Sequence, residues 1–263
     1  MDLYLAHFLT QDGLLNAGAV ERLVADDIRG VETHFLYFRP WDLDACAAVR
    51  AAARAVGAVL HSVHAPFGPE LNITAEDPLL RRHALEAHRT VLHGAAALGA
   101  QVVVVHPGRG LRGRQPVADV AELCAAQLGQ LAALAAELGL TLSVENMLPA
   151  HALAEFGTLR EVVDSLASPG VGLCLDTGHA HLTGGVDRAI EVFAGRINHV
   201  HLQDNDGQAD RHWLPSLGLV PWDGFAAGLA ATGYRGPLTI EAYPPDGMHR
   251  RHMIPTVRRA LGL

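Results

Sequence analysis

Eight short apolar runs, each followed by a longer segment of helical period, constrain this chain more than any other feature. The first four are "LYLAHFL" from Leu3, "GVETHFLYF" from Gly30, "AVLHSVHA" from Ala58 and "QVVVVHPG" from Gln101. The rest are "LTLSVENM" from Leu140, "VGLCLDTGH" from Val171, "INHVHLQD" from Ile197 and "PLTIEAY" from Pro237. Near-continuous Val, Ile and Leu suit strands buried on both faces, as in a parallel sheet. Helices are predicted over 16–27, 78–98, 117–138, 158–166 and 222–231. Strict alternation of this kind predicts a single (β/α)8 barrel, one domain over residues 1–263.

Composition narrows the function. A net charge of −8 with no basic block weighs against a nucleic-acid carrier. No run reaches the roughly 18 uninterrupted apolar residues of a membrane span, and the N-terminus lacks the basic flank of a signal peptide. Cys46, Cys124 and Cys174 are scattered and odd in number, so a cytoplasmic location is expected.

Chemistry-bearing side chains collect where the runs end. His64 closes the third, His106 the fourth, Glu145 the fifth and Asp176 the sixth, while His201 and Glu241 lie late in the seventh and eighth. In such a barrel the C-terminal strand ends form one rim, where loop-borne chemistry gathers. Each residue alone has a plain reading, a hydrogen-bonded structural histidine or a carboxylate capping the next helix. Six successive strand ends repeating the pattern point to a metal, because burying so many unpaired carboxylates is costly without a cation.

His179, just past Asp176, can return to the same mouth, and Asp210 with His212 forms a D-x-H pair that can face one ion. His199 is expected to point away from His201 and pack against the outer helices, and His181 to lie in a loop or behind the ligands. His7, His34 and His61 could line the barrel, whereas His83, His88, His93, His151, His249 and His252 read as solvated. After the fourth run, Arg109, Arg112 and Arg114 offer bidentate donors for a substrate phosphate or carboxylate, or form a solvated basic loop. Phe67 could stack on a substrate. The "DTG" triplet alone would suit an aspartic protease, but that needs a paired carboxylate in a β-rich setting and leaves the histidines unexplained.

The stretches "SVHAPF", "VVVHPG", "LSVENM", "LDTGHAH", "HVHLQDNDG", "DRHWLPSLG" and "TIEAY" run in order from His64 to Glu241. Together they resemble the motifs of the xylose-isomerase-like barrel superfamily, which includes sugar-phosphate isomerases and epimerases and the endonuclease IV group. The first two strand-helix units match only in pattern. In the isomerase branch the resemblance implies one divalent ion on Glu145, Asp176, His201 and Glu241. In the endonuclease branch it implies three zinc ions, the first on His64, His106 and Glu145. Glu145 would bridge to a second, held also by Asp176, His201 and Glu241, and a third would take His179, Asp210 and His212. Imidazole and carboxylate without thiolate suit Zn, Mn, Co or Fe better than Mg or Ca. One to three ions, Zn or Mn first, are therefore expected.

Two reactions follow. As an isomerase or epimerase of a small sugar-like substrate, possibly phosphorylated, the chain would move a proton with Glu145 and Glu241. As a phosphodiesterase it would cleave abasic-site DNA or another phosphoester. The filled nine-ligand set favours the second. The scarcity of aromatic and basic surface favours the first, as do the mere 24 residues between Asp176 and His201. A non-catalytic metal-binding barrel is a third reading, weakened because a barrel with a full core needs no metal staple.

Overall fold

The computed structural model describes residues 1–10, 13–110 and 113–263. Its strands are β1 (Leu3–Ala6), β2 (Gly30–His34), β3 (Val59–His64), β4 (Val102–Val105), β5 (Thr141–Glu145), β6 (Val171–Asp176), β7 (Ile197–Leu202) and β8 (Leu238–Ile240). They pair in parallel in chain order and close into a barrel through β8 and β1. All eight apolar runs therefore became strands of one (β/α)8 barrel.

Alternation along the strands explains how the barrel is filled. Leu142, Val144, Leu173, Leu175, Val200 and Leu202 belong to the apolar core. Ser143, Glu145, Asp176, His199 and His201, which alternate with them, are buried polar residues. Because successive strand side chains point to opposite faces, the apolar set meets the surrounding helices and the polar set fills the barrel. Two register shifts adjust this interior. One follows Val31–Leu60 and makes Ser62 the partner of Glu32; the other follows Leu173–Ile197 and makes His199 the partner of Cys174. Asn198, skipped by the second shift, accepts from Ser143 at 2.6 Å and donates to the Leu142 carbonyl at 2.9 Å. Gly172 admits it, since a β-carbon there would lie 2.5 Å from the Asn198 side chain.

The outer helices are α1 (Ala17–Ala25), α2 (Leu43–Val56), α3 (Pro78–Leu98), α4 (Val117–Glu137), α5 (Phe156–Ser165), α6 (Thr177–Thr183), α7 (Val186–Phe193), α8 (Phe225–Ala231) and α9 (Met253–Leu261). The helix predicted from residue 222 begins only at Phe225, after Gly224 in the left-handed region at φ 75°. By length and composition α4 is apolar enough to cross a bilayer, but Val120, Cys124, Leu128 and Leu131 bury one face of it in the core. His88 departs from expectation. It lies in the stripe Ala84, His88, Val91, Ala95 that α3 turns inward, and is 3% exposed rather than solvated. His83, His93, His249 and His252 are exposed as expected, and His151 is half-buried.

Candidate metal centre

The strand ends bring the expected ligands together at one rim. His64 ends β3, His106 follows β4, Glu145 and Asp176 end β5 and β6, His201 lies on β7 and Glu241 follows β8. The donor atoms of His64, His106 and Glu145 lie within 4.8 Å of one another, as do those of Glu145, Asp176, His201 and Glu241. Glu145 divides its two oxygens between these groups. Its Oε2 is 3.3 Å from His64 Nε2 and 3.0 Å from His106 Nε2, while Oε1 is 3.4 Å from His201 Nδ1. A third group forms around Asp210, whose Oδ2 is 3.3 Å from His179 Nε2 and 3.2 Å from His212 Nε2.

Local structure aims these rings. A backbone carbonyl can only accept, so an imidazole nitrogen facing one carries a proton, and the other nitrogen is the one that can ligate an ion once it is deprotonated. His64, His179 and His212 set Nδ1 against the carbonyls of Ala65, Asn146 and Glu241 at 3.0, 2.9 and 2.9 Å. Each thus presents Nε2 to the cluster. Asp176 does two jobs, since its Oδ1 also accepts from the His179 amide at 2.7 Å and caps α6. The plain reading of that carboxylate and the metal reading hold together.

The loop carrying Asp210 and His212 is organised by Asp204. Its Oδ1 accepts from the amides of Asn205 and Val220, and its Oδ2 from those of Ser216 and Gly218 and from Trp222 Nε1, all at 2.8–3.0 Å. Main-chain bonds in both directions tie Asp204 to Trp213. His212, at φ 48°, turns its ring back toward Asp210.

Electrostatics show how the crowded charges of the cluster bear on one another. Burial would raise the Glu145 carboxyl, but His106, His201 and His64 hold it well below its ordinary range. Burial lifts the Asp176 carboxyl to about 7; His179 pulls it down, while Glu145, Glu241 and Asp210 push it further up. Against the cost of burial, Asp210 and Glu241 push His212 up to about 10. Carboxylates crowded this closely need compensating positive charge, supplied by protons on the imidazoles or by a metal. The donor set of imidazole nitrogens and carboxylate oxygens could hold a divalent metal ion.

Sequence reasoning missed three residues here. Glu32, wholly buried beneath the mouth, contacts His199 Nε2 at 2.9 Å and His201 Nε2 at 3.0 Å. Gln203 Nε2 donates to Asp210 at 2.7 Å and to Asp176 at 3.3 Å. Asn146 exchanges hydrogen bonds with the Asp176 main chain at 2.8 and 3.1 Å. The expectation for His199 was wrong. Residues two apart on a strand share a face, so His199 points into the barrel with His201 instead of outward. His181 is half-buried and bonded to Asn205 Oδ1 at 2.9 Å, behind the ligands.

A cavity of about 620 Å³ opens over the cluster. Phe8, Tyr37 and Phe67 line it together with His64, Glu145 and Glu241. Phe67 lies against His106 with ring centroids 4.7 Å apart. Arg109 reaches the cavity wall, its amide held by Asn72 Oδ1 at 2.7 Å; Arg114 is exposed, and Arg112 falls outside the described residues.

The chain is similar to known proteins along much of its length. It is 29% identical over 185 residues to an uncharacterised protein of Methanocaldococcus jannaschii, a match covering 68% of this chain and 63% of that protein. It is also 30% identical over 206 residues to a "Probable endonuclease 4" of Mycobacterium tuberculosis, covering 74% and 76%. Among solved structures, a D-tagatose 3-epimerase-like protein superposes with a TM-score of 0.83 at 23% identity, covering 100% and 98% of the two chains. IOLI protein with a bound zinc atom does so at 0.83 and 17%, covering 99% and 96%. At these identities the structural likeness speaks for the fold. Residues 20–257 match the family model described as xylose isomerase-like TIM barrel, and the chain belongs to that family.

Proposed function

We propose that this protein is a divalent-metal-dependent isomerase or epimerase of a small sugar-like substrate. The observation that carries this reading is the cavity. At about 620 Å³, with aromatic walls over a carboxylate and imidazole floor, it has the size of a small-molecule site. Arg109 is the one lysine or arginine among its described lining residues, which suits a neutral or singly anionic ligand better than a nucleic-acid backbone. Likeness to a D-tagatose 3-epimerase-like protein and to a zinc-bound structure supports the same choice.

The residues would act as follows. Glu145, Asp176, His201 and Glu241 would hold the ion, with zinc or manganese preferred. A bound ion would supply Lewis-acid polarisation of a substrate carbonyl and its neighbouring hydroxyl. Glu145 and Glu241 face His201 Nδ1 from β5 and from the end of β8, at 3.4 and 3.1 Å. One carboxylate would take the proton beside the carbonyl and the other return it, to the adjacent carbon or the opposite face. Phe67 would cover one side of the substrate and Arg109 would meet an anionic or hydroxyl end. Three buried unpaired cysteines support a reducing compartment.

A second reading, zinc phosphodiesterase, has a specific observation in its favour. His179, Asp210 and His212 converge beside the other ligands, which a single-ion isomerase does not require. The test is direct. Protein purified without chelator is assayed for solvent deuterium entering a panel of ketoses and ketose phosphates, and for nicking of abasic-site duplex. Exchange that chelator abolishes and metal restores supports the isomerase. Robust nicking without exchange overturns it in favour of the phosphodiesterase.

A further inference from the structure

His201 breaks the pattern of the other imidazoles. Where His64, His179 and His212 rest Nδ1 on a backbone carbonyl and present Nε2, His201 presents Nδ1 to Glu241 at 3.1 Å and Glu145 at 3.4 Å. Behind its ring stands a carboxylate, with Glu32 Oε1 lying 3.0 Å from His201 Nε2. Glu32 is itself anchored, since its Oε2 accepts from Ser62 Oγ at 2.6 Å and from His199 Nε2 at 2.9 Å. The register shift between β2 and β3 that makes Ser62 its partner supplies one of these anchors.

A carboxylate offers only acceptors, so His201 Nε2 carries the proton that meets Glu32, and Nδ1, which faces Glu241 and Glu145, is the nitrogen left to give up its proton to an ion bound among them. We propose that Glu32 is a positioning residue that fixes the proton of His201 on Nε2 and thereby selects Nδ1 as the metal-binding atom. Ser62 and His199 hold the Glu32 carboxylate in place for this. The inference rests on the metal reading above. The donors of Glu32, His199 and His201 are close enough to hold an ion of their own. Ser62, His199 and His201 all bond Oε2, the last at 3.3 Å, and Oε1 lies 3.0 Å from the same His201 Nε2, so the carboxylate already faces three donors, which favours a network over a second ion.

The test uses zinc-loaded protein carrying ¹⁵N-histidine, with His201 assigned by its absence from His201→Asn. The expected spectrum has His201 ligated through Nδ1 and protonated at Nε2. In Glu32→Gln one oxygen becomes an NH2 donor, so Ser62, His199 and His201 compete for a single amide oxygen with two lone pairs. Zinc affinity, measured against a chromophoric chelator, should therefore fall 10–100-fold, on the order found when such outer partners are removed, with circular dichroism unchanged. Ligation of the parent through Nε2, an ion bound between Glu32 and His199, or a folded Glu32→Gln with parental affinity each overturns the inference and leaves the metal reading standing. A parent that binds no zinc at His201 overturns both. Should Glu32→Gln fail to fold, the parent spectrum alone decides.

Discussion

Gly178 packs so closely against Gln203 that a β-carbon on the glycine would lie 2.1 Å from the amide oxygen. That amide also joins two parts of the centre, donating to Asp210 at 2.7 Å and to Asp176 at 3.3 Å. Gly178→Ala must push Gln203 aside, since a contact this short cannot be absorbed in a packed interior. The expected result is at least a tenfold loss of metal affinity with the barrel's circular dichroism retained. Parental metal content in the alanine variant would refute it.

The two histidines of the same segment should behave differently. His179 has both ring nitrogens committed, Nδ1 to the Asn146 carbonyl and Nε2 toward Asp210. His181 sets Nδ1 against Asn205 Oδ1 at 2.9 Å, away from the carboxylates. Where His179, Asp210 and His212 hold an ion, His179→Ala should lower ion content by about one per chain, because three ligands would become two. His181→Ala should leave content within error. Equal severe losses, read by elemental analysis, would mean that the helix after β6 is misassigned.

Much of this was legible because strand ends in a barrel converge whatever the loops between them do. His64, Glu145 and Asp176 could be placed from run boundaries alone, and Asp210 and His212 from their shared spacing. Glu32 could not. It sits inside "GVETHFLYF", where the acid was given no role, and its role depends on a register shift that no local pattern announces. His199 was recoverable, because two residues is the strand period and the ring had to follow His201. His88 was recoverable too, as the polar member of an otherwise apolar helical stripe. Gln203 and Asp204 act through partners brought close only by the folded loop, and nothing in their neighbours' identities signals that.

His88 should leave a mark on the pH dependence of stability. Its Nδ1 donates to the Ala84 carbonyl at 2.7 Å. Burial lowers its pKa to about 4, only partly opposed by that bond, with His106 and His64 lowering it further. The unfolded chain titrates it near 6.5, so between about pH 6.5 and 4 the unfolded state binds more protons. The neutral ring's contribution is thus full above pH 6.5, is lost as pH falls through this window, and levels off below it. The span is on the order of 3 kcal/mol. Urea unfolding of chelated parent and His88→Leu at pH 7, 5.5 and 4.5 should give a shallower decline in the variant. Parallel declines would sink the assignment.

Asp204 offers the sharpest separation of the centre into parts. Its carboxylate collects five N–H donors from across the loop that carries Asp210 and His212, and a β-carbon at Gly218 would lie 2.4 Å from its Oδ1. Asp204→Asn keeps the shape but turns one acceptor into a donor, so at least two of those N–H groups lose their partner. Each buried donor left unmet costs about 1–3 kcal/mol, enough to loosen the loop while the strands stay paired. Hydrogen exchange should accelerate over residues 204–222 and remain slow in β3 and β5. Where an ion is held between His179, Asp210 and His212, it should be lost, while one held by Glu145, Asp176, His201 and Glu241 persists, because those residues are fixed by the barrel strands. If the asparagine variant keeps every ion and all its protection, Asp204 does not organise the site. If instead all ions leave together, the groups are one cooperative cluster, and the division of labour drawn from Glu145's two oxygens is wrong.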